Sequence, residues 1–229
     1  MKLSIIVPCY NEKDTLLEII SLIKQSLVEE KEIILVDDGS SDGTTDMIRR
    51  EVEKTVDRVI YHPKNMGKGA AIRSALQYVT GDVVIIQDAD LEYDPREYPK
   101  LIAPIIEGKA DVVYGSRFLG EGPHRVHMFW HYVGNKLLTI LSNMFTNLNL
   151  TDMETCYKTF KTAVLKNINL KEKGFGVEPE MTVKMAKQKC RVYEVGISYH
   201  GRSYSEGKKI NWKDGLKALY LIIKYGISS

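Results

Sequence analysis

The stretch "VIIQDADLEYDP" (residues 84–95) sets three acids, Asp88, Asp90 and Glu92, two apart at the end of a Val- and Ile-rich run. Side chains alternate along an extended chain, so this spacing predicts that Asp88 and Asp90 point the same way, with Glu92 following. Close carboxylates repel and raise one another's pKa. A hard divalent cation resolves that conflict, because Mg2+ and Mn2+ prefer carboxylate oxygens and also bridge phosphates. The competing reading is a solvated acidic loop leading to Asp94 and Pro95.

Other polar residues gather at the ends of apolar runs in the same way. In "VDDGSSDGT", Ser41 or Asp42 is expected to cap the next helix. Capping leaves the adjacent Asp37 and Asp38 unexplained, and carboxylates there can accept hydrogen bonds from a ribose or a base edge. A dinucleotide fold asks for GxGxxG after the first strand, and a P-loop for GxxxxGK[ST]. Neither "VPCYNE" nor "NMGKGAA" supplies them. "GKG" reads equally as an anion site built from backbone amides or as a tight turn with close helix packing. His124, His127 and His131 have no HExxH glutamate and read as surface or acceptor-groove residues. Cys9, Cys156 and Cys190 form no CxxC pair, which favours core packing in a reducing compartment.

The elements that must position these residues follow from the apolar pattern. "LSIIVP", "EIILV", "RVIYHP", "DVVIIQDAD" and "ADVVYGSR" read as strands. Between them lie helical stretches: "EKDTLLEIISLIKQSL" with Leu16, Ile19, Ile20 and Ile23 on one face, the segment after Gly43, the small-residue "GKGAAIRSALQYV", and Glu97 to Ile106. Such alternation through short loops predicts an α/β fold whose central sheet is mostly parallel and flanked by helices on both faces. Ligands then bind outside the carboxyl ends of the strands. That directs attention to Tyr10–Asn11–Glu12, Asp37–Asp38–Gly39, Asp88–Ala89–Asp90 and Ser116–Arg117. Beyond Arg117 the pattern is mixed: an aromatic-rich helix from about Val126, short strands in "TCYKTFK" and "RVYEVGISY", a helix near Glu180 to Lys187, and a last one from about Trp212.

With 229 residues, 44% hydrophobic and 27% charged, the chain suits one domain with a sizeable core. A formal net charge of +2 gives no argument for nucleic acid. The N-terminal apolar run is too short for a signal peptide, and no uninterrupted apolar run of about 18 residues predicts a spanning helix. Residues 128–148 carry Phe129, Trp130, Tyr132, Leu137, Ile140 and Met144, interrupted by Asn135, Lys136 and Asn143. They read either as an interfacial helix or as a core helix. "NWKDGLKALYLIIKY", with Lys213, Lys217 and Lys224, reads as a basic amphipathic helix for anionic headgroups or as core packing with a lysine face in water.

Taken in order, "PCYNE", "DDGSSDGT", "QDADLE" and "GSR", followed by "GRSYSEGKK", resemble the family 2 glycosyltransferases with the GT-A (nucleotide-diphospho-sugar transferase) fold. More narrowly they resemble the dolichyl-phosphate mannose synthases and the related polyprenyl-phosphate glucosyltransferases. The resemblance spans nearly the whole chain. It implies a single catalytic domain, with residues 1–117 binding the nucleotide sugar and residues 118–229 forming a mixed acceptor-binding and interfacial part. It also implies that Pro8, Tyr10 and Glu12 line the nucleoside pocket and that Val36 and Asp38 hold base or ribose. Asp88, Ala89 and Asp90 would face the donor, and Asp90 and Glu92 would ligate Mg2+ or Mn2+. Arg202 and Lys208 would meet donor phosphates and Arg117 the acceptor phosphate, with Asp88, Asp90 and Arg117 as the catalytic set. Glu92 stands where the mannose synthases often carry Gln. "EGKK" replaces "GxSK", which leaves Lys208 and Lys209 as alternatives.

The activity this implies is inverting, metal-dependent transfer of a hexose from GDP-mannose or UDP-glucose to a polyprenyl (dolichyl or undecaprenyl) phosphate. The protein would sit peripherally on the cytoplasmic membrane face, with a membrane-anchoring subunit or a second copy as further partners. A phosphate acceptor is already anionic near neutral pH and needs positioning rather than a general base. Transfer to a glycan, protein or small molecule is the alternative within the family. A non-catalytic nucleotide-sugar-binding subunit is the reading from another class.

Overall fold

The computed structural model describes residues 1–120, 125–126, 128–202 and 212–227. A seven-stranded sheet in the order β3-β2-β1-β4-β6-β5-β7 forms its centre. The strands are β1 (Leu3–Cys9), β2 (Lys31–Asp37), β3 (Arg58–Tyr61), β4 (Val83–Ile86), β5 (Val112–Ser116), β6 (Lys158–Lys161) and β7 (Val192–Gly196). All neighbours pair in parallel except β6, which runs antiparallel to both β4 and β5. The two C-terminal strands therefore complete the same sheet as the first five: β6 inserts between β4 and β5, and β7 adds to β5.

The composition of the strands explains their place. Ile5, Ile6, Val7, Leu35, Val36, Val84, Ile85 and Ile86 are wholly buried, as in a parallel sheet covered on both faces. Each such side chain contributes about 1.5–3 kcal/mol relative to exposure. Helix α1 (Leu16–Gln25) buries Leu16, Ile19, Ile20 and Ile23, the stripe its spacing predicts. A short α2 (Thr44–Met47) continues through a π turn over Ile48–Val52. Helices α3 (Lys68–Leu76), α4 (Tyr98–Ile106), α5 (Phe129–Thr146), α6 (Thr162–Lys166), α7 (Val177–Lys187) and α8 (Trp212–Ile227) follow.

Glycine is required where α3 starts. Gly67 has φ +92°, and a Cβ there would lie 2.4 Å from the Lys173 carbonyl oxygen; a Cβ on Gly69 would lie 2.3 Å from that of Glu172. The backbone of "GKG" thus packs directly on residues 172–173, the second of its two sequence readings.

The sheet order turns in opposite directions from β1, toward β2 on one side and β4 on the other. The carboxyl ends of β1 and β4 flank that switch point, where α/β sheets bind ligands. Tyr10–Glu12 leave β1 there, and Gln87–Asp90 leave β4.

Candidate active site

Beyond β4 the acids do not continue an extended strand. The strand ends at Ile86 and residues 89–93 turn, with Leu91 in the left-handed region at φ +63°. This corrects the expected extended alternation: Asp90 Oδ1 accepts from the Glu92 amide at 3.2 Å across the turn, and the Asp90 and Glu92 carboxylates both approach the Arg202 guanidinium. Glu92 accepts from the Tyr199 hydroxyl at 2.7 Å and the Arg202 amide at 2.8 Å, while its carbonyl accepts from the His200 amide at 3.0 Å. It fastens the segment 199–202 to the acid turn.

Arg202 enters the turn as its internal cation. Its Nη2 lies 2.9 Å from Asp90 Oδ2 and 3.3 Å from Glu12 Oε1, its Nη1 lies 3.2 Å from Glu12 Oε2, and its Nε lies 3.6 Å from Glu92. Even so, burial, followed by the charges of Asp88 and Glu92, pushes Asp90 up to about 8 against the pull of Arg202. A hard oxygen donor set carrying more negative charge than its internal cation neutralises fits a divalent metal. Asp90 would hold it, with Asp88 adjacent. Among the described residues no three acids, histidines or cysteines already form a closed cage.

Asp88 is balanced differently. Burial opposes its ionisation, but Lys68, 2.8 Å away, holds its pKa below the usual carboxylate range. Lys68 also lies 3.2 Å from Glu178, which lies 2.5 Å from Lys158 on β6. Lys158, wholly buried between β4 and β5, also donates to the Thr155 carbonyl. Alternating charges thus run from the acid turn into the sheet, each compensated by its neighbour, as burial of charge demands.

At the end of β2, Asp38 accepts from His62 Nδ1 at 2.6 Å and from the amides of Met66 and Gly67 at 2.9 and 2.7 Å. These bonds shape the loop into α3. Asp37, 1% exposed, accepts from the Ser40 amide at 3.1 Å and Thr45 Oγ1 at 2.5 Å. It lines a cavity of about 370 Å³ with Gly39, Ser40, Thr45, Arg49, Tyr61, His62 and Pro63. Asp38 is not among the residues lining this cavity, and Val36 is a core residue whose register partner on β1 is Pro8. Asp42 Oδ1 accepts from the Thr44 amide at 3.0 Å and serves the start of α2. Ala89 is buried and presents its carbonyl to Thr15 Oγ1 at 2.7 Å; Tyr10 is half-buried.

On the other side of the acid turn, Arg117 follows β5. Its Nε and Nη2 grip Asp152 at 2.6 and 2.7 Å, its amide adds a bond at 3.0 Å, and Asn135 donates to the same carboxylate at 3.2 Å. The Arg117 guanidinium carbon lies 5.1 Å from the Tyr199 ring centroid. Next to it opens a cavity of about 510 Å³ lined by Arg117, Phe118, Gly120, Val126, Phe129, Tyr132 and Lys136. Glu154, in the loop before β6, has an Oε1 with no hydrogen-bond partner, and burial pushes its carboxyl up to about 7.

Sequence reasoning passed over Lys68 as an ion-pair partner, and Asp152, Glu154, Lys158 and Glu178 altogether. The available signal was charge in an apolar setting: Lys158 interrupts "TCYKTF", and Glu178 opens a helix whose first turns are buried. Lys208 and Lys209, His124 and His127, and the side chain of Lys213 lie outside the described residues; His131 is half-buried on α5.

Helices α5 and α8 pack together and against α7. Much of their apolar surface faces outward: Trp130 is 78% exposed, Met144 75%, Tyr220 62% and Leu137 64%. Lys217 and Lys224 reach Glu172 at 3.8 and 3.5 Å. Among the described residues no helix is long and apolar enough to cross a membrane.

The mostly parallel sheet, with acids and cations at the carboxyl ends around its switch point, has the GT-A fold. Residues 4–168 match the family model described as Glycosyl transferase family 2, and the chain belongs to that family. It is 30% identical over 232 residues to a dolichol-phosphate mannosyltransferase of Pyrococcus furiosus, covering 98% of this chain and 64% of that protein. It is 27% identical over 240 residues to an undecaprenyl-phosphate mannosyltransferase of Micrococcus luteus, covering 100% of this chain and 96% of that one. The chain spans about half to two thirds of the length of several curated relatives it matches, 51% in one case and 64% for the Pyrococcus protein. Glucosyl-3-phosphoglycerate synthase from Mycobacterium tuberculosis, solved with Mn2+, uridine diphosphate and phosphoglyceric acid, superposes with a TM-score of 0.76 at 20% identity, covering 100% of this chain and 79% of that one. At that identity the likeness concerns the fold.

Proposed function

We propose that the chain transfers one hexose from a nucleoside diphosphate sugar, GDP-mannose or UDP-glucose, to a polyprenyl phosphate at the cytoplasmic face of a membrane. The observation that carries this reading is Tyr199, which joins the two halves of the site. Its hydroxyl donates to Glu92 on the acid turn at 2.7 Å, and its ring lies 5.1 Å from the Arg117 guanidinium beside the aromatic cavity. Donor diphosphate and acceptor phosphate would meet across this one residue. The lipid-phosphate acceptors named for the Pyrococcus and Micrococcus relatives support the acceptor, and uridine diphosphate with Mn2+ in the structural neighbour supports the donor class and the metal.

The nucleoside would lie over the ends of β1 and β2, against Pro8, Tyr10 and Glu12 and the cavity lined by Asp37. Asp90 and Glu92 would hold Mg2+ or Mn2+ with Asp88 alongside, Glu92 being the acid that Tyr199 and the Arg202 amide fix in place. The bound ion would supply neutralisation of the charge that develops on the leaving diphosphate. Arg202 would turn from Asp90 and Glu12 to the donor phosphates, with Lys208 as the second cation. Arg117, fixed by Asp152, would orient the acceptor phosphate. That oxygen is already anionic, so positioning opposite the leaving group suffices, and a single displacement inverts the anomeric centre. The outward apolar faces of α5 and α8 support a peripheral seat on the membrane.

The test is a heat-shift screen of nucleotide sugars with and without Mn2+, followed by turnover on a short polyprenyl phosphate. The expected result is one preferred donor whose sugar moves to the lipid. Transfer only to a soluble acceptor, or binding without turnover, would refute the reading.

A further inference from the structure

The cavity beside Arg117 contains two cations in very different electrostatic situations. Arg117 is tied to a wholly buried Asp152 by two side-chain bonds, 2.6 and 2.7 Å, so the pair is close to neutral. Lys136, on the second turn of α5, has no such partner. Its Nζ makes a long bond to the Thr151 carbonyl at 3.3 Å and lies 5.0 and 5.7 Å from the ring centroids of Phe118 and Tyr132. Among the described residues no carboxylate stands within ion-pair distance of it. Among the described lining residues, the positive charge without a carboxylate partner is that of Lys136. Its walls are Phe118, Tyr132 and Phe129, with Phe118 and Tyr132 edge to face at 5.3 Å. Phe129 is 66% exposed at the rim.

We propose that Lys136 is the charge that captures the acceptor's phosphate, while Phe118, Tyr132 and Phe129 receive the first prenyl unit of its tail. The inference rests on the lipid-phosphate reading given above and assigns it a residue. An amphiphilic anion fits both features at once: a monophosphate carries about −1.5 to −2 charge near neutral pH, and an aromatic wall holds a branched apolar chain. Inorganic phosphate would satisfy only the ammonium. Arg117 then orients an anion that Lys136 has drawn in. The two rings attract the ammonium but offer it no hydrogen-bond acceptor, and phosphate binding replaces the weak carbonyl bond with a charge-assisted one.

The test uses farnesyl phosphate as the probe, with Lys136→Gln and Lys136→Arg in the full chain. Binding is followed by calorimetry and transfer by steady-state kinetics. Lys136→Gln is expected to weaken farnesyl phosphate binding and raise its KM by about tenfold or more, the scale of one charged hydrogen bond. The donor KM should not move, and Lys136→Arg should recover most of the loss. Inorganic phosphate should bind the wild type far more weakly than farnesyl phosphate. Wild-type acceptor affinity in Lys136→Gln, or no rescue by Arg, overturns the inference. Equal binding of inorganic and farnesyl phosphate overturns the part given to the aromatic wall. Lys136-dependent binding without sugar transfer would uphold the site and refute the transferase reading, so the two failures are distinguishable.

Discussion

Arg202 Nη2 lies 2.9 Å from Asp90 Oδ2, and through this contact a residue beyond the last strand supplies the counter-charge for the acid turn after β4. Any cation that binds Asp90 competes with this guanidinium. Arg202→Gln is therefore expected to show a larger rise in Tm on addition of Mn2+ than the wild type, alongside weaker donor binding. A smaller Mn2+ response than wild type would mean that Arg202 assists the cation rather than competing with it.

Asp90 is the acid proposed to hold the metal. Asp90→Asn removes its charge at nearly constant shape and should lower nucleoside diphosphate release by about 10²–10³-fold, the scale for loss of one stabilising group at a developing charge. Measured turnover within a few-fold of wild type would remove Asp90 from the site.

The Arg117–Asp152 pair is buried and bidentate. Removing one partner strands the other, so Asp152→Ala should cost about 3–5 kcal/mol in stability. Urea unfolding of Asp152→Ala, Arg117→Ala and the double variant checks this. The double variant should lose much less than the sum of the singles. Additive losses would contradict a coupled pair.

Two carboxylates predict opposite pH dependences of stability. Burial pushes Glu154 up from an ordinary 4.5 to about 7, so between those values the folded state binds more protons than the unfolded one. Stability from this group is full below that window and falls as pH rises through it. Glu154→Gln should flatten the decline. Glu32 is the reverse case: burial opposes its ionisation, but hydrogen bonds from Lys2, Ser4 and Thr80 hold it at about 2. Its contribution is present above 4.5 and disappears as pH falls toward 2. Urea midpoints of Glu154→Gln and Glu32→Gln across pH check both signs; identical pH profiles would refute the assignment.

The sheet was legible because Ile and Val runs buried on both faces leave a direct mark in the sequence. The strand-end positions of Glu12, Asp37, Asp88 and Arg117 followed from it. The shape of the acid turn was not legible, because Leu91 adopts a left-handed conformation that its residue type does not announce. Nor were the partners. Lys68, Asp152 and Glu178 meet Asp88, Arg117 and Lys158 only through the fold, and no local pattern pairs them. The antiparallel insertion of β6 was hidden for the same reason: four residues carry little periodicity, and the partners on either side determine their direction.

The most direct measurement follows the phosphorus of the acceptor. Phosphorus NMR of the chain with its preferred nucleotide sugar, Mn2+ removed before recording, and a short polyprenyl phosphate should show the lipid monoester converting to a diester. One nucleoside diphosphate should appear for each diester, and the sugar should have the inverted anomeric configuration. Consumption of the nucleotide sugar while the lipid monoester signal stays unchanged would contradict the account.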